Sequence, residues 1–281
     1  MQKISRRGFI KSALAMTAMP LVANADKTEH KSSLKFIHIT DSHMDLNDPN
    51  SIEAMELMVE FVNENYKDLD FVCFGGDNFN NNVEGEKDAL VFKEITDKLH
   101  CPTLHVRGNK ESNPKPNDAI HLDEFQKLFV QEKGLMVSGK DWAYEKNGYI
   151  FLGLDSCIDG ANNGLYTDET ISFAKKILDK AKPTIALNHH PYTNYWGGTE
   201  EKDLHKYVLN NTDRVQKELF GYSNLILTLS GHKHIDSVKE LKGTKTVVTR
   251  GFIRPLDLDM YPMRYVEING DEISEKLIYT S

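Results

Sequence analysis

Along this chain, short runs of apolar and β-branched residues repeatedly stop at a small polar cluster. LKFIHIT precedes Asp41-Ser42-His43, LDFVCF precedes Gly75-Gly76-Asp77-Asn78, and TLHVR precedes Gly108-Asn109-Lys110-Glu111. Further on, TIAL precedes Asn188-His189-His190-Pro191, and LILTLS precedes Gly231-His232-Lys233-His234. Runs of this length and composition, bounded by turn residues, predict buried strands. Between the first three lie helical patterns: residues 51–66, with Met55, Met58, Val59 and Val62 on one stripe, and residues 84–99, with Leu90, Val91, Ile95 and Leu99. The order βαβαβ implies parallel strands.

From Gly134 onward the pattern changes. AYEKNGYIFLGLDS reads as a hairpin turned at Asn147-Gly148, and short strands recur over residues 246–279, interrupted earlier by helical stretches at 167–181 and 200–220. The second half therefore adds antiparallel strands to a layered α/β protein. In open α/β sheets, ligands gather outside the carboxyl ends of the strands. Five polar clusters, each just after a strand, are expected to converge on one edge.

Collected in order, the clusters supply Asp41, His43, Asp77, Asn109, His189, His232 and His234. A His-x-His pair alone means little, since about 0.4 such pairs are expected by chance from 11 histidines in 281 positions. The whole set means more. It offers oxygen and imidazole donors without thiolate, which suits Mn, Fe or Zn, and seven donors exceed what one ion needs. In an extended segment, residues i and i+2 point to one side, so Asp41 with His43, and His232 with His234, would each present two donors together. Asp77, following two glycines that allow close backbone approach, is the natural carboxylate to bridge two ions.

The ordered set D-x-H, G-D, G-N, H and G-H-x-H resembles the calcineurin-like metallophosphoesterase superfamily over residues 34–236. The resemblance implies a fold of two packed mixed β-sheets flanked by helices. It also implies a metal pair, a bridging hydroxide as nucleophile and in-line attack on a phosphoester. Carried over motif by motif, Asp41, His43, Asp77 and His234 would hold one ion, and Asp77, Asn109, His189 and His232 the other. The sequence departs from the pattern twice. Purple acid phosphatases, similar in this region, carry a tyrosine ligand where Asn80 stands here. The usual G-N-H-[DE] is here Gly108-Asn109-Lys110-Glu111, so the histidine that commonly assists the leaving group is absent. Lys110 is then a fixed positive charge beside the phosphate, with Glu111 as a candidate ion-pair partner, and His190 is the alternative proton donor.

Other features narrow the class. No G-x-S-x-G, G-x-x-x-x-G-K-[ST] or G-x-G-x-x-G occurs, so serine-hydrolase, nucleotide-loop and dinucleotide readings find no support. Arg250, Arg254 and Arg264 are either phosphate clamps or ordinary surface charges. Trp196 with Gly197-Gly198 reads as a lip beside the site or as packing. His38, inside a strand, reads as structural or solvated, and His105, in a strand that ends at the site, reads as core. Cys73, Cys101 and Cys157 show no C-x-x-C spacing and read as small hydrophobes.

The chain opens MQKISRRGFIKSALAMTAMPLVANAD, in which Ser5-Arg6-Arg7-Gly8-Phe9-Ile10-Lys11, a short apolar stretch and Ala23-Asn24-Ala25 read as a twin-arginine export signal over residues 1–25. The apolar stretch is too short to span a bilayer, so no stable membrane anchor is expected. Residues 26–281 are expected to form a single catalytic domain. Removal of the signal takes the net charge from −8 to −12, which disfavours nucleic acid as a partner. The sequence thus predicts a periplasmic, dinuclear metal-dependent phosphoesterase acting on phosphodiesters or small phosphomonoesters, with the export machinery as its partner in transit. Its alternative is a non-catalytic metal or phosphate binder in which Lys110 replaces the usual histidine.

Overall fold

The βαβαβ pattern gives β1 (Ser33–Ile39), α1 (Pro49–Asn65), β2 (Phe71–Phe74), α2 (Lys87–Thr96) and β3 (Thr103–His105). The structure, a computed structural model, describes residues 33–83, 85–112, 120–131, 134–194 and 199–281. The export signal and Trp196 lie outside the described residues. Strand β2 runs parallel to both β1 and β3. Helix α1 starts where the Asp48 side chain accepts the Asn50 N–H, with Pro49 in the first turn, and it buries Met55, Met58, Val59 and Val62 as its stripe predicts. Helix α2 keeps most of its expected stripe, with Ile95 and Leu99 buried and Val91 packed against the core, and departs from it at Leu90. It buries Ala89, Phe92 and Ile95 and leaves Leu90 47% exposed, because Phe92, its largest apolar side chain, packs edge-on against Phe74 at 5.3 Å.

The remaining elements are α3 (Asn109–Ser112), α4 (Leu122–Phe129), β4 (Met136–Ser138), β5 (Asp141–Lys146), β6 (Tyr149–Gly153), α5 (Asp168–Leu178) and β7 (Thr184–Leu187). They continue with α6 (Thr212–Glu218), β8 (Leu225–Ser230), β9 (Ser237–Leu241), β10 (Thr244–Val248), β11 (Pro262–Asn269) and β12 (Glu272–Tyr279). The β5–β6 hairpin turns at Asn147 and Gly148, both with positive φ, as a two-residue hairpin turn of this twist requires. The helix expected over 200–220 is instead a 3₁₀ turn at Glu201–Lys206 followed by α6. Between them the N–H groups of Leu209 and Asn210 donate to the distant carbonyls of Pro191 and Gly164, which removes them from any continuous helical ladder.

One sheet has the order β12-β11-β1-β2-β3, in which the C-terminal hairpin lies antiparallel against β1. The other has the order β4-β5-β6-β7-β8-β10-β9, parallel from β6 to β10 and antiparallel outside. The protein is therefore an α/β sandwich of two mixed sheets flanked by helices. The inner faces meet through Phe36, Phe71 and Phe151, with centroids 4.8 to 5.3 Å apart. Trp142 ties the sheets together by donating its indole N–H to the His105 carbonyl at 2.8 Å. On the outer face of the second sheet, Ile150, Leu152 and Ala186 cluster with Ile171, Ala174 and Ile177 of α5. Cys73 and Cys157 are buried and Cys101 is half-buried; all three are free thiols. This packing brings the carboxyl ends of β1, β2, β3, β7 and β8 to one edge.

Candidate metal centre

Beyond β1 and β2 the two chains stay bonded: Asp41 N–H donates to Gly76 O at 3.0 Å, His43 N–H to Asp77 O at 2.9 Å, and Met44 N–H to Asn78 O at 3.0 Å. This is not the extended geometry expected of D-x-H and H-x-H. Asp41, His43, Asp77, His232 and His234 all adopt left-handed backbone, with φ between 47° and 64°. Each such residue costs about 1–2 kcal/mol, and five at one edge mark strain that the surrounding bonds hold in place. Two glycines allow the approach by lacking a side chain. A Cβ at Gly231 would collide with Thr40 and Asp41, and one at Gly108 would collide with the Asp77 backbone and carboxylate.

The seven donors come together in two groups that share Asp77. In the first, His43 Nε2 lies 3.2 Å from His234 Nε2, 3.9 Å from Asp41 Oδ1 and 3.7 Å from Asp77 Oδ2, and His234 Nε2 lies 3.1 Å from Asp41 Oδ1. In the second, His189 Nε2 lies 3.1 Å from His232 Nδ1, 3.2 Å from Asn109 Oδ1 and 3.5 Å from Asp77 Oδ1.

The ring nitrogens turned away from these groups face acceptors. His43 Nδ1 is 3.0 Å from Asn80 Oδ1, His189 Nδ1 is 2.9 Å from the Gly75 carbonyl, and His232 Nε2 is 2.7 Å from the Lys206 carbonyl. Those nitrogens carry the protons, so the inward-facing ones present lone pairs. Two lone pairs 3.1 Å apart, beside an amide oxygen and a carboxylate, repel unless a cation lies among them. The donor chemistry therefore fits bound cations. Without a metal, that cation is a proton. Burial disfavours a charged His189, but the Asp77 and Asp41 carboxylates outweigh it and push the imidazole up to about 9. Burial raises Asp77 and Asp41, yet the facing imidazoles hold both below the usual carboxylate range. His232 is brought down to about 4 by burial and by the neighbouring His189.

Glu111 is a residue whose part in the site the sequence did not disclose. It forms no ion pair with Lys110. Its carboxylate is buried and accepts the backbone N–H groups of Gly108 at 2.7 Å, Asp77 at 3.0 Å and Asn78 at 2.6 Å, which pins the β2 and β3 loops together. Burial and the Asp77 charge push it up to about 7, against those donors. An acid three residues after a loop glycine, reaching back as in a capping box, was the available signal. Asn80, at the place of a tyrosine ligand, stands behind His43 as its acceptor and is itself tied to Asp45 Oδ2 at 3.0 Å.

Lys110 is exposed, and its ammonium makes no hydrogen bond or ion pair among the described residues; its backbone N–H donates to Asp77 Oδ1 at 2.7 Å. His190 lies within reach of His189 and His232, but both its ring nitrogens are engaged, Nδ1 with Ser156 Oγ at 2.8 Å and Nε2 with the Asn162 carbonyl at 3.1 Å. Burial and the adjacent histidines keep it well below the usual imidazole range. His38 and His105 are buried in the core, the latter stacked on Phe74 at 4.8 Å. Arg264 is buried in ion pairs with Asp236 and Glu275, and Arg250 donates to the Arg254 carbonyl at 2.8 Å. Arg254 is exposed.

Comparison with protein families matches residues 34–236 to the calcineurin-like phosphoesterases. No curated protein sequence matches the chain. Among solved structures, a dimetal phosphatase from Danio rerio aligns with a TM-score of 0.64 at 11% identity, covering 88% of this chain and 99% of that one. GAP50, the anchor in the inner membrane complex of Plasmodium, aligns with 0.53 at 14% identity, covering 89% and 86%. A purple acid phosphatase from yellow lupin (Lupinus luteus) seeds aligns with 0.54 at 12% identity, covering 89% of this chain and 52% of that one. At these identities the likeness is one of fold.

Proposed function

The chain belongs to the calcineurin-like phosphoesterase family, and on that premise we propose that it is a two-metal phosphoester hydrolase acting on phosphodiesters or small phosphomonoesters. One observation carries the reading: two groups of lone-pair donors that share a single carboxylate, Asp77. Asp41, His43, His234 and Asp77 Oδ2 would hold one ion, and Asp77 Oδ1, Asn109, His189 and His232 the other. The donors suit Mn, Fe or Zn, and Asn80 in place of a tyrosine removes the reason to expect a coloured ferric centre. When bound, such a pair lowers the pKa of water and polarises phosphoryl oxygens.

The chain's own residues do the rest. Asn80, Gly75 and Lys206 fix the tautomers of His43, His189 and His232. Glu111 holds the Asp77 backbone, and the Lys110 N–H fixes the orientation of the Asp77 carboxylate. We cast the Lys110 ammonium as a fixed positive charge for the phosphoryl group, and His190 as the residue that holds the Asn162 loop rather than as a proton donor.

Export to the periplasm by the twin-arginine route is part of the proposal, motivated by SRRGFIK and Ala23-Asn24-Ala25. Arg6→Lys with Arg7→Lys should strand the precursor in the cytoplasm. The catalytic claim is tested with bis(p-nitrophenyl) phosphate, which the protein loaded with Mn²⁺ should hydrolyse and the chelated protein should not. A second reading, metal or phosphate binding without turnover, is favoured by Lys110 at the place of the family's usual histidine; Mn²⁺ binding with no turnover of this activated ester would select it.

A further inference from the structure

His43 belongs to the donor cluster and also lines a cavity of ≈ 220 Å³ that the proposed reaction does not otherwise use. Other walls are Phe252 and Tyr261, in the loop between β10 and β11, whose rings stack at 4.9 Å and 20°. Asp45 and Asp48 complete it. Asp45 is fixed in place by N–H donors from Asn47 at 2.9 Å, Asn80 at 3.0 Å and Asn82 at 2.8 Å, all of them neutral. No Lys or Arg lines the cavity among the described residues. A second cavity of ≈ 550 Å³ adjoins it through Asn50, Ala54, Pro255 and Tyr261, and brings Glu53, Asp257 and Asp259, again without a basic residue. The Arg250 guanidinium, in the same loop, does not line either cavity and donates to the Arg254 and Pro255 carbonyls.

An aromatic lining beside carboxylates that have no basic partner attracts an organic cation and repels a second phosphate. The smaller cavity has room for a group the size of choline or ethanolamine, and His43 is common to its lining and to the donor groups. We propose that this cavity is the subsite for one alcohol arm of the substrate, and that the arm it takes carries a cationic ammonium group. The inference rests on the phosphoesterase reading and names its substrate class: phosphoesters of amino alcohols rather than nucleotides or polyphosphates.

The test is calorimetric binding of phosphocholine and of neohexyl phosphate, its uncharged tert-butyl isostere, to the metal-loaded full chain. The two ligands share shape and phosphate and differ only in the cation. Phosphocholine should bind about tenfold tighter. Tyr261→Leu, which removes the π face, and Asp48→Asn, which removes a charge but keeps the cap of α1, should each cut that preference to about threefold or less. Binding of neohexyl phosphate by each variant reports that it is folded and loaded. Equal affinity for the two ligands in the wild type, or a preference that survives both substitutions, would overturn the subsite. Because binding is read without turnover, the two claims separate. A protein that prefers phosphocholine but hydrolyses no ester keeps the subsite and loses the phosphoesterase reading, whereas one that hydrolyses aryl esters without the preference loses only the subsite.

Discussion

Glu111 accepts the backbone N–H of Asp77 at 3.0 Å across the gap between the β2 and β3 loops, and with it the N–H groups of Asn78 and Gly108. One buried carboxylate thus sets the position of the residue shared by both donor groups. Glu111→Ala would leave several buried N–H groups unpaired, each costing about 1–3 kcal/mol. The variant should be destabilised by roughly 3 kcal/mol or more in urea denaturation and should bind metal weakly. Glu111→Gln, which keeps one acceptor oxygen, should fall between it and the wild type. A Glu111→Ala protein with wild-type stability and metal content would contradict this role.

Asp77→Ala removes the carboxylate common to both groups while leaving six other donors in place. Both ions should be lost on gel filtration, measured by elemental analysis, and turnover should fall by several orders of magnitude. His205→Ala, which changes an exposed side chain and leaves the neighbouring Lys206 carbonyl in place, should leave metal content and turnover unchanged.

Lys110 stands where the family's pattern has a histidine. If its charge acts on the phosphoryl group, Lys110→Ala should lower kcat/KM by about tenfold, and because the side chain is exposed, the difference should shrink as salt is raised. His190 has no free ring nitrogen to donate, so aryl esters, whose leaving groups depart unprotonated, should outrun alkyl esters by a wide margin. Lys110→His should narrow that gap. Identical kinetics for Lys110→Ala and wild type on both ester types would make Lys110 a bystander.

Asp141 gives a stability prediction away from the metals. Burial and the charge of Asp155 push its carboxyl up to about 7, whereas an aspartate in the unfolded chain titrates at about 3.9. The folded state therefore binds more protons between these values, so this contribution is fully present below about pH 4 and is lost as the pH rises through about 7. Asp141→Asn keeps the oxygen that accepts the Asp155 N–H at 2.8 Å and removes the titration. It should be more stable than the wild type by about 2–4 kcal/mol near pH 8, and the advantage should vanish near pH 4. Parallel pH profiles for the two proteins in urea would show that Asp141 does not titrate in this way.

The donor residues were legible in the sequence because each follows an apolar run that could only be a strand, and parallel strands bring their carboxyl ends to one edge. The backbone there was not legible. Left-handed φ at Asp41 or His232 is imposed by partners far along the chain, such as the Gly76 carbonyl and the Asp41 carboxylate, and no local propensity announces it. The same holds for Glu111, whose charge suggested a surface pair with Lys110 but whose four-residue helix turns it inward. His190 reads in sequence as a spare histidine beside a ligand; its two partners, Ser156 and Asn162, lie 34 and 28 residues away. In α2 the periodicity placed Val91, Ile95 and Leu99 correctly but not Leu90, which is turned out while the larger Phe92 packs against Phe74.

The most direct test of two metals held by a shared Asp77 is a titration of Mn²⁺ into metal-free protein, following bound metal and hydrolysis of bis(p-nitrophenyl) phosphate in the same samples. Binding should saturate at two ions per chain, with turnover lagging at the first equivalent and reaching its plateau at the second. Saturation at a single ion with full turnover, or two bound ions with no turnover, would contradict the account.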